Sequence, residues 1–302
     1  MLSLNKVSKK DRAIYIAGIV SATLLTVAML ITQNERSFYY TTEEHRAFDI
    51  MTRCVEMVSA HHSLIGPEMS DITTSIGDPA AKRTSLHPAM AALIVRFLRN
   101  AGVQSGDTIA VGCSGSFPGL LIATLSASRA MGIEPRIILS LGASSYGASD
   151  PDFTILDLHM FLFREGLTSY SPVAVSLGGD MDIARDMDPA VREKLIGKVK
   201  SSGIYLIEEK DLIINRQIRD SIFTEDNATT IKAFINSGGG YANMGTSNLS
   251  LLLKPGVIRK AKIPPHQSRG VIHDMLEKEI PVIHLLYIKG LATRHNIPWD
   301  SM

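Results

Sequence analysis

Two stretches hold residue types that could do chemistry together. In Val111-Gly-Cys-Ser-Gly-Ser-Phe-Pro-Gly119, an apolar run enters a tight Gly/Ser turn and Pro118 opens an apolar stretch of helical character. A strand, Gly/Ser turn and helix bring backbone N–H groups and hydroxyls to one point. Three chemistries compete for this turn. Anion binding would use the N–H groups at the helix start with the Ser114 and Ser116 hydroxyls. Nucleophilic catalysis would use Ser114 or Ser116, although neither sits in a G-x-S-x-G frame. Dinucleotide binding ranks last, because Gly112, Gly115 and Gly119 do not give G-x-G-x-x-G. The second stretch, residues 70–85, is dense in hydroxyls and carries Asp78, Lys82 and Arg83. It reads either as a polar loop with an Asp-Pro turn or as an anion-handling loop using Lys82 and Arg83. Lys82, His87, His159 and Asp180 are candidate activators of a serine nucleophile.

These residues need elements to hold them. Strands are expected at 107–112, 136–141, 172–177, 204–207 and 281–288. Helices are expected near 44–58, from Pro88 to Gly102, at 117–131, from Pro151 to Gly166, from Asp188 to Gly203, at 209–223, at 228–237 and at 269–279. Phe153, Leu156, Met160 and Phe163 should form the apolar side of the helix opened by Pro151. The alternation predicts a Rossmann-like α/β fold, a mostly parallel sheet with helices on both faces. The Gly/Ser turns at 112–116, 142–147 and 178–182 then fall at the carboxyl edge of the sheet, where open α/β sheets bind ligands. That edge brings Ser144, Ser145 and Asp180 to the candidate site alongside Gly112, Gly115 and the serines. A further Gly-rich turn follows Asn236.

The sequence offers little to other chemistries. Asp180 and Asp182 could hold a divalent cation, but an acidic turn in solvent explains them better, and the nine histidines are scattered. No metal or other cofactor is expected. His61 and His62 point in different directions on a helix end, and His284 reads as a core histidine. Cys54 and Cys113 match no metal spacing; they could pair if the domain is exported. With 31 basic and 30 acidic residues the net charge is +1, and no nucleic-acid motif is present, so nucleic acid is excluded as a partner.

Residues 13–32 carry no charge and have the length of a bilayer-spanning helix. Lys6, Lys9, Lys10 and Arg12 precede them, so a basic cytoplasmic segment 1–12 is expected before one transmembrane helix. Residues 36–302 would then form an extracytoplasmic domain on a single-pass anchor in the cytoplasmic membrane. The competing reading, a cleaved signal peptide, lacks a small-x-small cleavage site.

Several segments together resemble the poly-gamma-glutamate system protein family. They are Thr73-Thr-Ser-Ile-Gly-Asp-Pro-Ala-Ala-Lys-Arg-Thr-Ser85, the 111–119 turn, Leu141-Gly-Ala-Ser-Ser-Tyr-Gly-Ala-Ser-Asp-Pro-Asp-Phe153 and Gly238-Gly-Gly-Tyr-Ala-Asn-Met-Gly245. The resemblance implies a membrane-anchored accessory protein of poly-γ-glutamate capsule synthesis or export. Its partners would be the anionic polymer or its membrane synthase and export subunits. It brings no catalytic residues. The first expectation is a binding or assembly factor using the Gly/Ser cleft. The alternative is a serine-dependent hydrolase or transpeptidase of γ-glutamyl amides.

Overall fold

The structure, a computed structural model, describes residue 21, residues 40–225 and residues 227–301. The chain divides into two units, residues 1–41 and 42–302. The expected transmembrane segment lies outside the described residues, Ser21 excepted. Among the described residues no helix is long and apolar enough to cross a membrane.

The larger unit is an α/β fold. Its seven-stranded sheet is built from β2 (Thr108–Ser114), β3 (Glu134–Ser140), β5 (Pro172–Ser176), β6 (Leu206–Ile207), β7 (Ile231–Ser237), β8 (Gly256–Ile258) and β9 (Val282–His284), in the order β6-β5-β3-β2-β7-β9-β8. Every pairing is parallel except β8 with β9. A separate parallel pair joins β1 (Thr73–Ser75) to β4 (Ala143–Ser144).

The period-2 rule of strands explains the two cores. Ile109, Val111 and Cys113 of β2, with Ile137 and Leu139 of β3, enter one core; Ala110 and Ile138 enter the other. On the first face, α4 (Pro118–Met131) packs on α1 (Thr42–Ser59) and α3 (Ala89–Ala101). Thirteen of the fourteen α4 residues are buried, which is why its apolar residues follow no single stripe. The hydroxyls of Thr124 and Ser126 survive there by donating to the Leu120 and Ile122 carbonyls. On the opposite face lie α7 (Leu212–Thr224) and α9 (Val271–Glu277). Asp188 and Asp211 cap the first turns of α6 (Pro189–Ser202) and α7, and Gly102, Gly132 and Gly203 end α3, α4 and α6 in the left-handed region.

Three expectations are corrected. Residues 228–237 hold β7, a central strand, where a helix was expected. Thr229, Thr230, Ile231, Phe234 and Ile235 favour a pleated surface, and burial on both faces hides any alternation. Residues 79–86 are a helix, α2 (Pro79–Leu86), rather than a polar loop. Asp78 accepts the Ala80 N–H at 2.9 Å and Pro79 takes the first helical position. Finally, α5 (Ile155–Arg164) starts four residues after Pro151, at the Thr154–Asp157 capping box, and Phe163 is exposed.

Candidate functional site

The order of strands reverses at β2. From β2 the chain crosses to β3, β5 and β6 on one side; β7 and β9 lie on the other. After β2 the chain turns into α4 on one face. After β7 it turns through α8 (Tyr241–Met244) to the opposite face, where Met244 joins the second core. Loops that diverge in this way leave a crevice beyond the carboxyl ends of the strands. It opens between the 114–117 and 238–241 segments.

Four adjacent strands, β5, β3, β2 and β7, end in serine. Ser176, Ser140 and Ser114 stand in register, and Ser237 follows one step out of it. The crevice holds two adjoining cavities of about 330 and 400 Å³ that share Ser75, Ser116 and Gly239. Gly238 has no room for a side chain: a Cβ there would stand 2.6 Å from the Ser114 hydroxyl. The β2 and β7 ends therefore meet closely beneath the crevice.

The first cavity is lined by Thr74, Ser114, Ser140, Asp180, Asp186 and Tyr241, among others. Behind it lies a buried polar network. Ser140 and Ser176 share a 2.8 Å hydrogen bond, and the Ser176 hydroxyl is 2.9 Å from the Asp182 carboxylate. Arg219 donates to Asp182 at 2.7 Å and to Ser176 at 2.8 Å, and Asn215 donates to Asp182 at 3.1 Å. Ion pairs this deep are worth little net energy but fix geometry, and removing either partner strands a buried charge. The loop around Asp182 is held in left-handed backbone at Gly178, Gly179, Met181, Asp182 and Ala184. Three of these are not glycine, and the network fixes the strained position of one of them, Asp182.

The second cavity is built on α2. Lys82 is 1% exposed, and its ammonium nitrogen donates to the Ser116 carbonyl at 2.5 Å and the Ser144 hydroxyl at 2.6 Å. It also stands 3.7 Å over the Phe117 ring. Burial pulls its pKa down to about 7, partly opposed by Asp78. The Ser144 N–H in turn donates to the Ser116 hydroxyl at 3.1 Å. This ties the turns after β2 and β3 to one lysine. Lys289 and Trp299 line the far wall, the Lys289 nitrogen 5.5 Å over the indole.

The expected residues divide accordingly. Ser114, Ser116, Asp180, Asp78, Lys82 and Ser144 line the cavities. Arg83 does not: it pairs with Asp300 at 2.5 Å. Gly112, Gly115 and Ser145 line neither cavity. Gly112 backs onto Asn243, and the Ser145 N–H donates to the Ser75 carbonyl. Asp78 and Asp180 are engaged locally, the first as a helix cap and the second with Arg185 at 2.6 Å. Asp182, the other half of the envisaged cation site, pairs with Arg219, and among the described residues no cluster of three metal-ligating side chains occurs. His159 is wholly buried with its pKa lowered to about 4 by desolvation, and the His87 ring accepts the Ala89 N–H; neither touches the cleft. His284 is buried in β9 against Asn236. Cys54 and Cys113 are free thiols, raised by burial to about 11 and 12.

Sequence reasoning missed Thr74, Ser75, Tyr241, Lys289 and Trp299. The Gly238–Gly240 turn was visible, but with 228–237 read as a helix it had no place on the sheet edge. Lys289 and Trp299 come from the last 14 residues, whose motif content is nil.

The fold and site define an α/β protein with a hydroxyl-lined crevice at the switch point of a mostly parallel sheet. No protein-family model matches the chain, and no curated protein matches it. Among solved structures it is similar to the alpha-aminoadipate aminotransferase LysN from Thermus thermophilus at 12% identity, with a TM-score of 0.16. The match covers 78% of this chain but 47% of the aminotransferase, so the chain spans under half that protein's length. A likeness this weak carries no argument.

Proposed function

We propose that the chain is a membrane-anchored accessory protein of poly-γ-glutamate production, with residues 36–302 outside the cytoplasmic membrane and the switch-point crevice receiving the polymer. The resemblance of residues 73–85, 111–119, 141–153 and 238–245 supplies the polymer's identity. The observation that carries the binding reading is that all four of these segments contribute to the crevice walls. A γ-linked glutamate chain offers amide groups along its backbone and one carboxylate per residue. Hydroxyls of Thr74, Ser75, Ser114, Ser116 and Ser140 suit the amides. Carboxylates suit the end near exposed Lys289, because Asp180 and Asp186 make the other end acidic.

One experiment tests polymer and orientation together. Fluorescent poly-γ-glutamate is added to spheroplasts carrying the full chain. Capture above an empty-vector control, reduced by salt and by Lys289→Ala, is expected. Capture only after permeabilisation overturns the outward orientation. No capture in either state overturns the polymer reading.

A further inference from the structure

We propose that Ser144 and Lys82 form a nucleophile–base pair that cleaves or transfers γ-glutamyl amides in the second cavity. The substrate class rests on the polymer reading above; the pair itself does not.

Five serines line the crevice, Ser75, Ser114, Ser116, Ser140 and Ser144, and their surroundings separate them. The Ser140 hydroxyl is bonded to Ser176, and the Ser75 hydroxyl has no basic side chain bonded to it among the described residues. The Ser114 hydroxyl packs on Gly238 and accepts the Ser116 N–H at 3.4 Å. The Ser116 hydroxyl accepts the Ser144 N–H. Neither is bonded to a basic side chain among the described residues. The Ser144 hydroxyl has one, the Lys82 amine at 2.6 Å, and both side chains line the same cavity.

The placement of Lys82 suits a base. The Ser116 carbonyl can only accept, so it takes an N–H of the amine. In the neutral amine the lone pair is then free for the Ser144 O–H. Burial of the Lys82 side chain keeps the charged form unfavourable, and outweighs the attraction of the ammonium to the Phe117 ring face. Asp78 lines the cavity, but its carboxylate is committed to the cap of α2. The β1–β4 pairing holds Ser144 in register with Ser75, and α2 starts four residues after β1, so both members of the pair hang from one small sheet.

The reaction balances with water or an amine as co-reactant. The Ser144 oxygen attacks the amide carbonyl carbon while its proton moves to the Lys82 nitrogen. The C–N bond then breaks and Lys82 returns that proton to the leaving nitrogen, giving a γ-glutamyl ester of Ser144 and a free amine. Water, or the amino end of another chain, next attacks the ester carbonyl. Its proton passes to Lys82 and on to the Ser144 oxygen as the ester C–O bond breaks. Water yields a shortened polymer; an amine yields a new amide.

The test treats the full-length chain with a fluorophosphonate probe and maps the adduct by peptide mass. One adduct on Ser144 is expected, faster as the pH rises through about 7, absent in Ser144→Ala and slowed ~10²-fold or more in Lys82→Met. Should Lys82→Met not fold, Ser144→Ala and the pH profile of the unaltered chain decide the matter. No adduct, or an adduct on Ser114 or Ser116, overturns the pair. Poly-γ-glutamate is incubated in parallel and sized on a gel. Shortening lost in Ser144→Ala supports both the pair and the substrate. Adduct formation without shortening or polymer capture keeps the pair and overturns its γ-glutamyl substrate. Polymer capture without adduct or shortening overturns the pair and keeps the polymer reading.

Discussion

Burying an ammonium costs far more than burying an amine, and Lys82 is where that difference reaches the crevice. Its pKa is about 7 in the folded chain against 10.5 for an ordinary lysine. Between these values the unfolded chain binds more protons than the folded one, so this group's contribution to stability rises with pH. The rise begins near pH 7 and ends near pH 10.5; below pH 7 the penalty is constant. Between pH 7 and 9 Lys82 alone should add on the order of 2 kcal/mol to the unfolding free energy. Urea denaturation at both values, compared with Lys82→Met, checks this. The unaltered chain should gain more stability than the variant, and equal gains would contradict a buried lysine. The residue scale also shows what a sequence conceals. Lys82 and Arg83 are neighbours of the same charge, yet one enters the cleft and the other meets Asp300 on the surface. Only the helical phase of α2 separates them, and the Asp-Pro start that sets it reads equally well as a turn.

At the scale of elements, α2 and α4 decide where Lys82 lies. They meet at Gly119, where a Cβ would come within 2.4 Å of the Ser85 carbonyl oxygen. That atom is backbone and cannot swing aside. Gly119→Ala should therefore push the two helices apart, lower stability by roughly 1–3 kcal/mol and lift Lys82 away from Ser144. Denaturant unfolding measures the first effect and the pH dependence just described measures the second, which should flatten. A variant of unaltered stability would contradict the close contact. Elements with strong punctuation were legible in the sequence. The strands β2, β3 and β5, and the helices ended by Gly102, Gly132 and Gly203, fall within a few residues of expectation. The strand β7 was not legible, because apolar residues on both faces erase the alternation that separates strand from helix. The β1–β4 pair was not legible either: it has only two paired positions, joined across 68 residues of chain.

At the scale of the molecule, near-neutral net charge makes recognition a local matter. The parallel sheet was predictable from alternating strands and helices, and with it the edge that carries the site. Its switch point was not, since strand order depends on which side β7 joins. That one placement brings the Gly238–Gly240 turn opposite Ser114 and closes the crevice. A second basic surface competes with it for any polyanion: Lys254, Arg259, Lys260 and Lys262 surround a shallow cavity near the β8 edge. Amide hydrogen exchange of the full-length chain, with and without poly-γ-glutamate, separates the two and tests the central claim most directly. Binding in the crevice predicts slowed exchange in residues 74–78, 114–117, 142–145 and 238–241, with residues 249–262 unchanged. Protection confined to residues 249–262, or none at all, would contradict it.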